Sequence, residues 1–106
     1  MPAAVFSAAI DALFVDPHLA LGAIYRSGGA DPGVPIRVIV RRPDRVGEFG
    51  ETRIVAGTVM IDVRVSEVTT PLEGDSIEAQ GTVHIIQGEP TRDAERLVWT
   101  IEARPA

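Results

Sequence analysis

Hydrophobic residues near the start of the chain recur at the spacing of an amphipathic α-helix. The residues that share one helical face are Phe6, Ala9, Ile10, Leu13 and Phe14. Asp16 and Pro17 end the pattern, because proline lacks the amide that would continue the hydrogen-bond ladder and also constrains the residue before it. We predict a helix over about residues 3–15. We expect its apolar face to pack on a sheet, because so short a helix is stabilised mainly by tertiary contacts.

Beyond Pro17 the hydrophobic period changes to two, which is typical of half-buried β-strands. The alternating runs occupy residues 19–25, 34–40, 55–65, 77–79, 83–85 and 97–103. Turn-forming sequences such as SGGADPG, PLEGD and AQG separate them. In this pattern Val83 and Ile85 face the core and His84 lies on the opposite face. The sequence therefore predicts a mainly β fold, a small antiparallel β barrel or sandwich over about residues 19–103, preceded by one short N-terminal helix.

Length and composition favour one domain over residues 1–106. The chain has 106 residues and 45% hydrophobic content, which is ordinary for a fold that buries one core. No apolar run reaches the roughly 18 to 20 residues that cross a bilayer, and the N-terminus lacks the positive region of a secretory signal, so we expect a soluble cytoplasmic protein. The net charge of −5 disfavours binding to the phosphate backbone of nucleic acids.

Few residues in the sequence suggest chemistry. The histidines, His18 and His84, do not belong to a ligand pattern. A metal site drawn from His84, Asp62, Asp75 or Asp93 competes with the simpler role of single acids at turns, which cap backbone amides. The chain lacks cysteine, lysine and a GxSxG motif, which excludes thiolate ligands, a Walker A loop and the serine elbow of hydrolases. We expect a protein that is not an enzyme and holds no metal and no cofactor.

Two polar segments are candidates for contacts with other proteins. In RRPDRVGEFGE, arginines and acids surround one aromatic residue, and an exposed aromatic beside arginine is a common interface anchor. The candidate residues of this loop are Arg41, Arg42, Asp44, Arg45, Glu48 and Phe49. The second segment is the turn with Glu73 and Asp75, which we interpret as a solvated hairpin. Trp99 shares the parity of its apolar neighbours, so we expect it in the core and not stacked on a nucleic-acid base.

Three segments combine distinctive motifs in a fixed order. They are FSAAIDALFVDPHLALGAIY, IRVIVRRPDRVGEFG and VRVSEVTTPLEGDSIEAQGTVHIIQGEPTRDAERLVWTIEARP. The most specific parts are the DP after the helix, the RVI-RRPD strand and loop, and the GD turn followed by RLVW near the C-terminal end. Together they resemble the head-tail joining proteins of long-tailed phages and prophages, the family that includes the head-tail joining protein of phage lambda. The resemblance covers nearly the whole chain.

This resemblance implies a structural protein of the virion neck, assembled in the bacterial cytoplasm. It implies a homo-oligomeric ring, six-fold in preference to twelve-fold, between a portal or adaptor ring on the head side and a tail terminator or tail tube on the other. As a stopper, the ring would retain packaged DNA, which passes the channel without sequence-specific binding. No catalysis and no membrane contact are implied. By this analogy, residues 41–49 reach a neighbouring ring or the channel, and the turn at residues 73–75 is the second contact.

Two other interpretations remain open. One is a tail terminator, a ring protein that caps the tail tube and not the head. The other is a small β-barrel binding module unrelated to phages, which the lack of catalytic motifs also fits. Gene transfer agents and defective prophages share the same neck organisation, so the sequence does not separate these settings from an infectious phage.

Overall fold

The structure, a computed structural model, describes residues 2–42 and 58–106. It begins with helix α1 (Pro2–Val15), followed by β1 (Leu21–Arg26), a short 3-10 turn (Ser27–Gly29) and β2 (Val34–Arg41). After the undescribed stretch come β3 (Val59–Arg64), β4 (Ser76–Ala79), β5 (Thr82–Ile86), β6 (Thr91–Arg92) and β7 (Val98–Pro105).

Six of the strands close into an antiparallel barrel, which confirms the predicted mainly β fold with one N-terminal helix. The strand order is β3-β2-β1-β4-β5-β7, and β3 pairs with β7 to close it. The closing ladder runs from Val59 opposite Ala103 to Arg64 opposite Val98. The short β6 pairs with β7 at Trp99 and Thr100, near the start of β7. It lies at the end of the sheet, beyond the six strands that form the barrel wall.

The barrel interior is filled by small and branched apolar side chains. The members of this cluster are Ala23, Tyr25, Ile36, Val38, Val59, Ile61, Val63, Val68, Ile77, Ala79, Ile86, Ile101 and Ala103. Burial of each large aliphatic member contributes about 1.5 to 3 kcal/mol relative to an exposed side chain. Most of them occupy the alternating positions that the sequence pattern assigns to the core, because successive side chains of a strand point to opposite faces.

The barrel has two ends that carry different loops. Strand β2 finishes at the first end, where Arg41 lies opposite Met60 at the start of β3. Strand β1 finishes at the second end, where Tyr25 lies opposite Ile77 near the start of β4. We call these the Arg41 end and the Tyr25 end. The connections before β4 and after β5 both belong to the Tyr25 end.

The expected packing of the helix is largely wrong. Of the predicted apolar face, Phe14 is 1% exposed, whereas Phe6 is 44% and Leu13 is 43% exposed. Only the last turns of α1 are held, because Arg37 on the outer face of β2 donates to the Phe14 carbonyl at 3.0 Å and Arg64 lies 5.3 Å from the centre of the Phe14 ring. Of the other residues on this face, Phe6, Ala9 and Leu13 are exposed and Ile10 is half-buried.

The predicted facing of β5 is also wrong. His84 is 4% exposed and joins the barrel interior together with Ile86, while Val83 and Ile85 are half-buried on the outside. The cause is the register of the β4–β5 hairpin, which places His84 directly opposite the buried Ile77. Opposed residues of an antiparallel pair point to the same face, so the hairpin register overrides the hydrophobic alternation of this short strand.

The helix attachment generates a first prediction. Phe14→Ala should lower the free energy of unfolding by about 3 kcal/mol, because it removes a fully buried aromatic ring. Phe6→Ala should change it by less than about 1 kcal/mol, because that ring is half exposed. Urea unfolding followed by the fluorescence of the single tryptophan measures both. Equal losses in the two variants would contradict the attachment described above.

Candidate docking surfaces

The first candidate loop begins at the Arg41 end of the barrel. Arg41 forms a two-point ion pair with Asp62 on β3, at 2.7 Å and 3.1 Å, and this hydrogen bonding raises the pKa of Arg41. Arg42 follows the strand and is exposed. The other candidates of this loop, Asp44, Arg45, Glu48 and Phe49, lie outside the described residues. The contact role of the loop therefore stays a prediction.

The second candidate turn divides into an exposed and a buried acid. Glu73 is exposed, but Asp75 is only 5% exposed, so the expected solvated hairpin does not describe Asp75. Asp75 accepts hydrogen bonds from the Gly28 amide at 2.7 Å, from the Leu72 amide at 3.0 Å and from the Tyr25 hydroxyl. It thereby ties together the end of β1, the 3-10 turn and the loop before β4.

Burial of this polar cluster has a clear electrostatic consequence. Desolvation, followed by the hydrogen bond to Asp75, raises the pKa of Tyr25 well above its ordinary range. The tyrosine stays a neutral donor and the carboxylate stays satisfied, which is the condition for burying a charge at low cost. Asp75 acts inside the fold, so a contact through this turn would have to use Glu73.

The acids that the sequence offers as possible metal ligands form ion pairs and cap backbone amides. Asp62 binds Arg41, and Asp93 accepts from the amides of Leu97 at 2.8 Å and Val98 at 3.2 Å. Within residues 2–42 and 58–106, no group of three or more possible ligands lies together. His84 stands apart in the barrel interior, where burial lowers its pKa and its Nδ1 has no hydrogen-bond partner among the described atoms.

Large apolar side chains are exposed on α1 and just after it, namely Phe6, Leu13, Val15 and Leu19, with exposed fractions between 43% and 62%. Phe6 and Leu13 are seven residues apart and therefore lie on one side of α1, and we call this side the apolar helix surface. Asp11, the charged residue of α1, is directed to Arg64 at 3.1 Å. Large apolar side chains that remain exposed together on a small domain mark surfaces that bind another molecule.

A groove of about 610 Å³ opens at the Tyr25 end, and we call it the Trp99 groove. Its walls come from the loop before β4, the connection after β5, and the first part of β7. They are formed by Thr70, Pro71, Leu72, Glu73, Gly88, Glu89, Pro90, Arg92 and Trp99. Trp99 is half-buried against the core; its indole nitrogen donates to the Val68 carbonyl at 2.8 Å, and the Arg92 guanidinium lies 5.1 Å from its ring.

Sequence reasoning missed both the groove and the buried cluster around Asp75. Leu72 and Trp99 line the same groove although they are far apart in the sequence. Hydrophobic periodicity within one strand does not predict which distant residues lie close together. The GD dipeptide at Gly74 indicates a turn, which is present, with positive φ at the glycine. The burial of Asp75 depends on Tyr25, fifty residues away.

The closed barrel carries an exposed apolar helix and a groove, and surfaces of these two kinds often form binding sites. The family comparison makes this specific: the model of the Phage Head-Tail Attachment protein family matches residues 2–103. The chain belongs to this family, which is a family of structural proteins of the phage neck and is not known to be enzymatic. The family also agrees with the resemblance seen in the sequence.

Other comparisons add no relative: no curated protein and no solved structure matches this chain. In the part of the chain that the structure describes, no helix is long and apolar enough to cross a membrane.

The Asp75 cluster predicts unequal effects of two matched substitutions in one turn. Asp75→Asn should lower the free energy of unfolding by about 2 to 3 kcal/mol, because buried amide and hydroxyl donors lose their charged acceptor. Glu73→Gln should cost less than about 1 kcal/mol, because Glu73 is exposed. Chemical unfolding of both variants tests this, and a loss for Asp75→Asn no larger than that for Glu73→Gln would refute it.

Buried His84 predicts a loss of stability in mild acid. Its pKa in the folded chain is lower than its ordinary value of 6.5, so the unfolded chain binds the proton more readily. The contribution to stability is therefore complete above about pH 6.5 and is lost as the pH falls through the folded pKa, with a slope of at most about 1.4 kcal/mol per pH unit.

His84→Gln should flatten this part of the pH profile, since glutamine can donate a hydrogen bond without titrating. His18→Gln is the matched control, because His18 is exposed. Unfolding free energies measured on both sides of pH 6.5 decide the matter. If His84→Gln keeps the slope of the parent protein, buried histidine is not its source.

Proposed function

We propose that this chain is a head-tail connector, or stopper, that forms a ring in the neck of a phage or phage-like particle. Membership in the Phage Head-Tail Attachment protein family supports a structural role in the neck. In this role the ring adds to the portal or adaptor on the head side, retains the packaged DNA, and offers its other side to the tail terminator or tail tube. Assembly takes place in the bacterial cytoplasm before head and tail meet.

The observation that carries this proposal is the apolar helix surface. Phe14 anchors one end of α1 to the barrel, and the large side chains of Phe6, Leu13, Val15 and Leu19 remain exposed. An isolated chain gains nothing from holding such a surface in water, whereas a subunit that packs against neighbours buries it. We expect this surface to contact the adjacent subunit of the ring.

The charge of the chain fits passage of DNA through a ring. A net charge of −5 provides no cationic wall that would release counterions from the duplex and hold it in place. Both signs of charge are paired on the outer face of the barrel, as in Arg26 with Glu78 at 2.8 Å and Arg41 with Asp62 at 2.7 Å. A ring of such subunits would let the DNA slide through its channel. We expect the ring to contain six subunits in preference to twelve.

Electron microscopy of particles from the source organism, with and without this gene, tests the neck role. Deletion should leave filled or once-filled heads without tails, together with separate complete tails. Tails of abnormal length that copurify with the protein would instead indicate a tail terminator. Normal tailed particles in the deletion strain would exclude any essential neck function.

A single substitution tests the apolar helix surface. Leu13→Glu should leave the fold intact, since surface changes usually alter stability by less than about 0.5 kcal/mol, but it should lower the yield of tailed particles at least about tenfold by placing a charge in a dry contact. Ala94→Glu introduces the same charge at an exposed turn between β6 and β7 and should give the normal yield. Equal complementation by both variants would exclude the helix as a contact.

A further inference from the structure

We propose that the Trp99 groove of one subunit binds the arginine-rich segment at residues 41–45 of a second copy. This inference rests on the proposed ring, because it names a contact that would join its subunits. The groove supplies the receptor, and the sequence Arg-Arg-Pro-Asp-Arg supplies the ligand.

The chemistry of the groove suits an extended peptide with guanidinium groups. Aromatic-lined grooves bind extended, proline-containing segments, and Trp99, Pro71 and Pro90 all line this groove. Leu72, on the rim, is 59% exposed and offers an apolar contact. The volume of the Trp99 groove, about 610 Å³, is within the usual range for ligand sites, roughly 300 to 1,000 Å³.

Charge selects arginine as the side chain to be bound. Glu73 and Glu89 place two carboxylates on the groove lining, and Arg92 shows that the Trp99 ring accepts a guanidinium, which lies 5.1 Å from the ring centre. Arginine combines a planar cation that stacks on aromatic rings with a fork that fits carboxylates. A second guanidinium that enters the groove could contact both the Trp99 ring and the carboxylates of Glu73 and Glu89.

Hydrogen bonds within the chain position the walls of the groove before anything binds. Asp75 fixes the Leu72 amide at 3.0 Å, Glu73 accepts from the Gly88 amide at 3.2 Å, and the Trp99 indole is held by the Val68 carbonyl at 2.8 Å. A preorganised site spends little conformational entropy on binding. The exposed turn at Glu73, which the sequence indicates as a candidate contact, thus forms one wall of the groove.

The ligand segment has the matching chemistry. Arg41 ends β2, and Arg42 and Pro43 follow it in the sequence. The residue before a proline is pushed toward extended or polyproline II backbone, which is the conformation that aromatic grooves bind. Three arginines against one acid make the segment 41–45 cationic, in contrast to the acidic lining of the groove.

Geometry requires the ligand to come from another copy. The segment starts at the Arg41 end, whereas the groove lies at the Tyr25 end. Arg45 is three residues beyond Arg42 and reaches at most about 11 Å from it, but the strands between the two ends are about 20 Å long. Contact between unlike surfaces of identical subunits is heterologous, and such contacts form a ring when the rotation between subunits closes.

Peptide binding to the purified protein is the first test. The probe is the heptapeptide Val-Arg-Arg-Pro-Asp-Arg-Val, with the sequence of residues 40–46, and the signal is the emission of Trp99, the single tryptophan. We expect a saturable change that is at least about fivefold weaker for Glu73→Gln/Glu89→Gln. Glu95→Gln, at an exposed acid between β6 and β7 that does not line the groove, should bind normally. No saturation, or equal binding of a peptide with glutamines for arginines, overturns the proposal.

Sedimentation of the full chain tests whether a second copy is the source of the ligand. A groove variant, Glu73→Gln/Glu89→Gln, and a segment variant, Arg42→Gln/Arg45→Gln, should each associate more weakly than the parent protein. Their mixture should recover pairs but not larger assemblies, because each pair retains one intact groove and one intact segment. Association of both variants at the parent level, or a parent protein that is monomeric up to about 1 mM, overturns the second copy as occupant.

These outcomes are separable from failure of the proposed function. Peptide binding and association are measured on the purified protein, without heads or tails. If both succeed while deletion of the gene leaves tailed particles normal, the contact stands and the neck role does not.

Discussion

Closure of the barrel between β3 and β7 is the constraint on which the rest of the structure depends. The ladder from Val59–Ala103 to Arg64–Val98 joins the two ends of the six-stranded wall, so that among the described strands only the two-residue β6 has an unpaired edge. Open edges are a common route for one chain to add to another, and closure of the wall restricts that route. Contacts with other proteins must then be made by side chains and by segments that the barrel carries on its outside and at its ends.

Three such features are present, and each depends on a polar anchor. Arg37 and Arg64 hold the last turns of α1 against the outer wall, so the apolar helix surface is displayed from a fixed point. Asp75 holds one wall of the Trp99 groove. Strand β2 ends at Arg41, the first residue of the polar segment, which is held by its ion pair with Asp62. The barrel is thus a rigid carrier, and its hydrogen-bonded attachments determine what it presents to partners.

The sequence predicted the barrel well because alternation reports burial directly. Ile36 with Val38, and Ile61 with Val63, are the clearest cases, and all are in the core. The failures have one physical origin, which is that partners distant in sequence decide the outcome. His84 is inside because of its register with Ile77.

Helical spacing likewise could not show how much of α1 would meet the barrel, and only Phe14 does so fully. For the candidate sites, the sequence correctly indicated a turn around Glu73 but could not separate an exposed acid from a buried one. The family resemblance, which integrates order and spacing over nearly the whole chain, gave the neck role that the family match supports.

Electron cryomicroscopy of the intact particle neck is the most direct test of the central claim that this chain is a ring subunit of the head-tail junction. The account predicts a ring of closed six-stranded barrels between the portal and the tail, with the helix of each subunit against its neighbour. A neck in which no such barrel can be placed, or a barrel found only at another position in the particle, would contradict it.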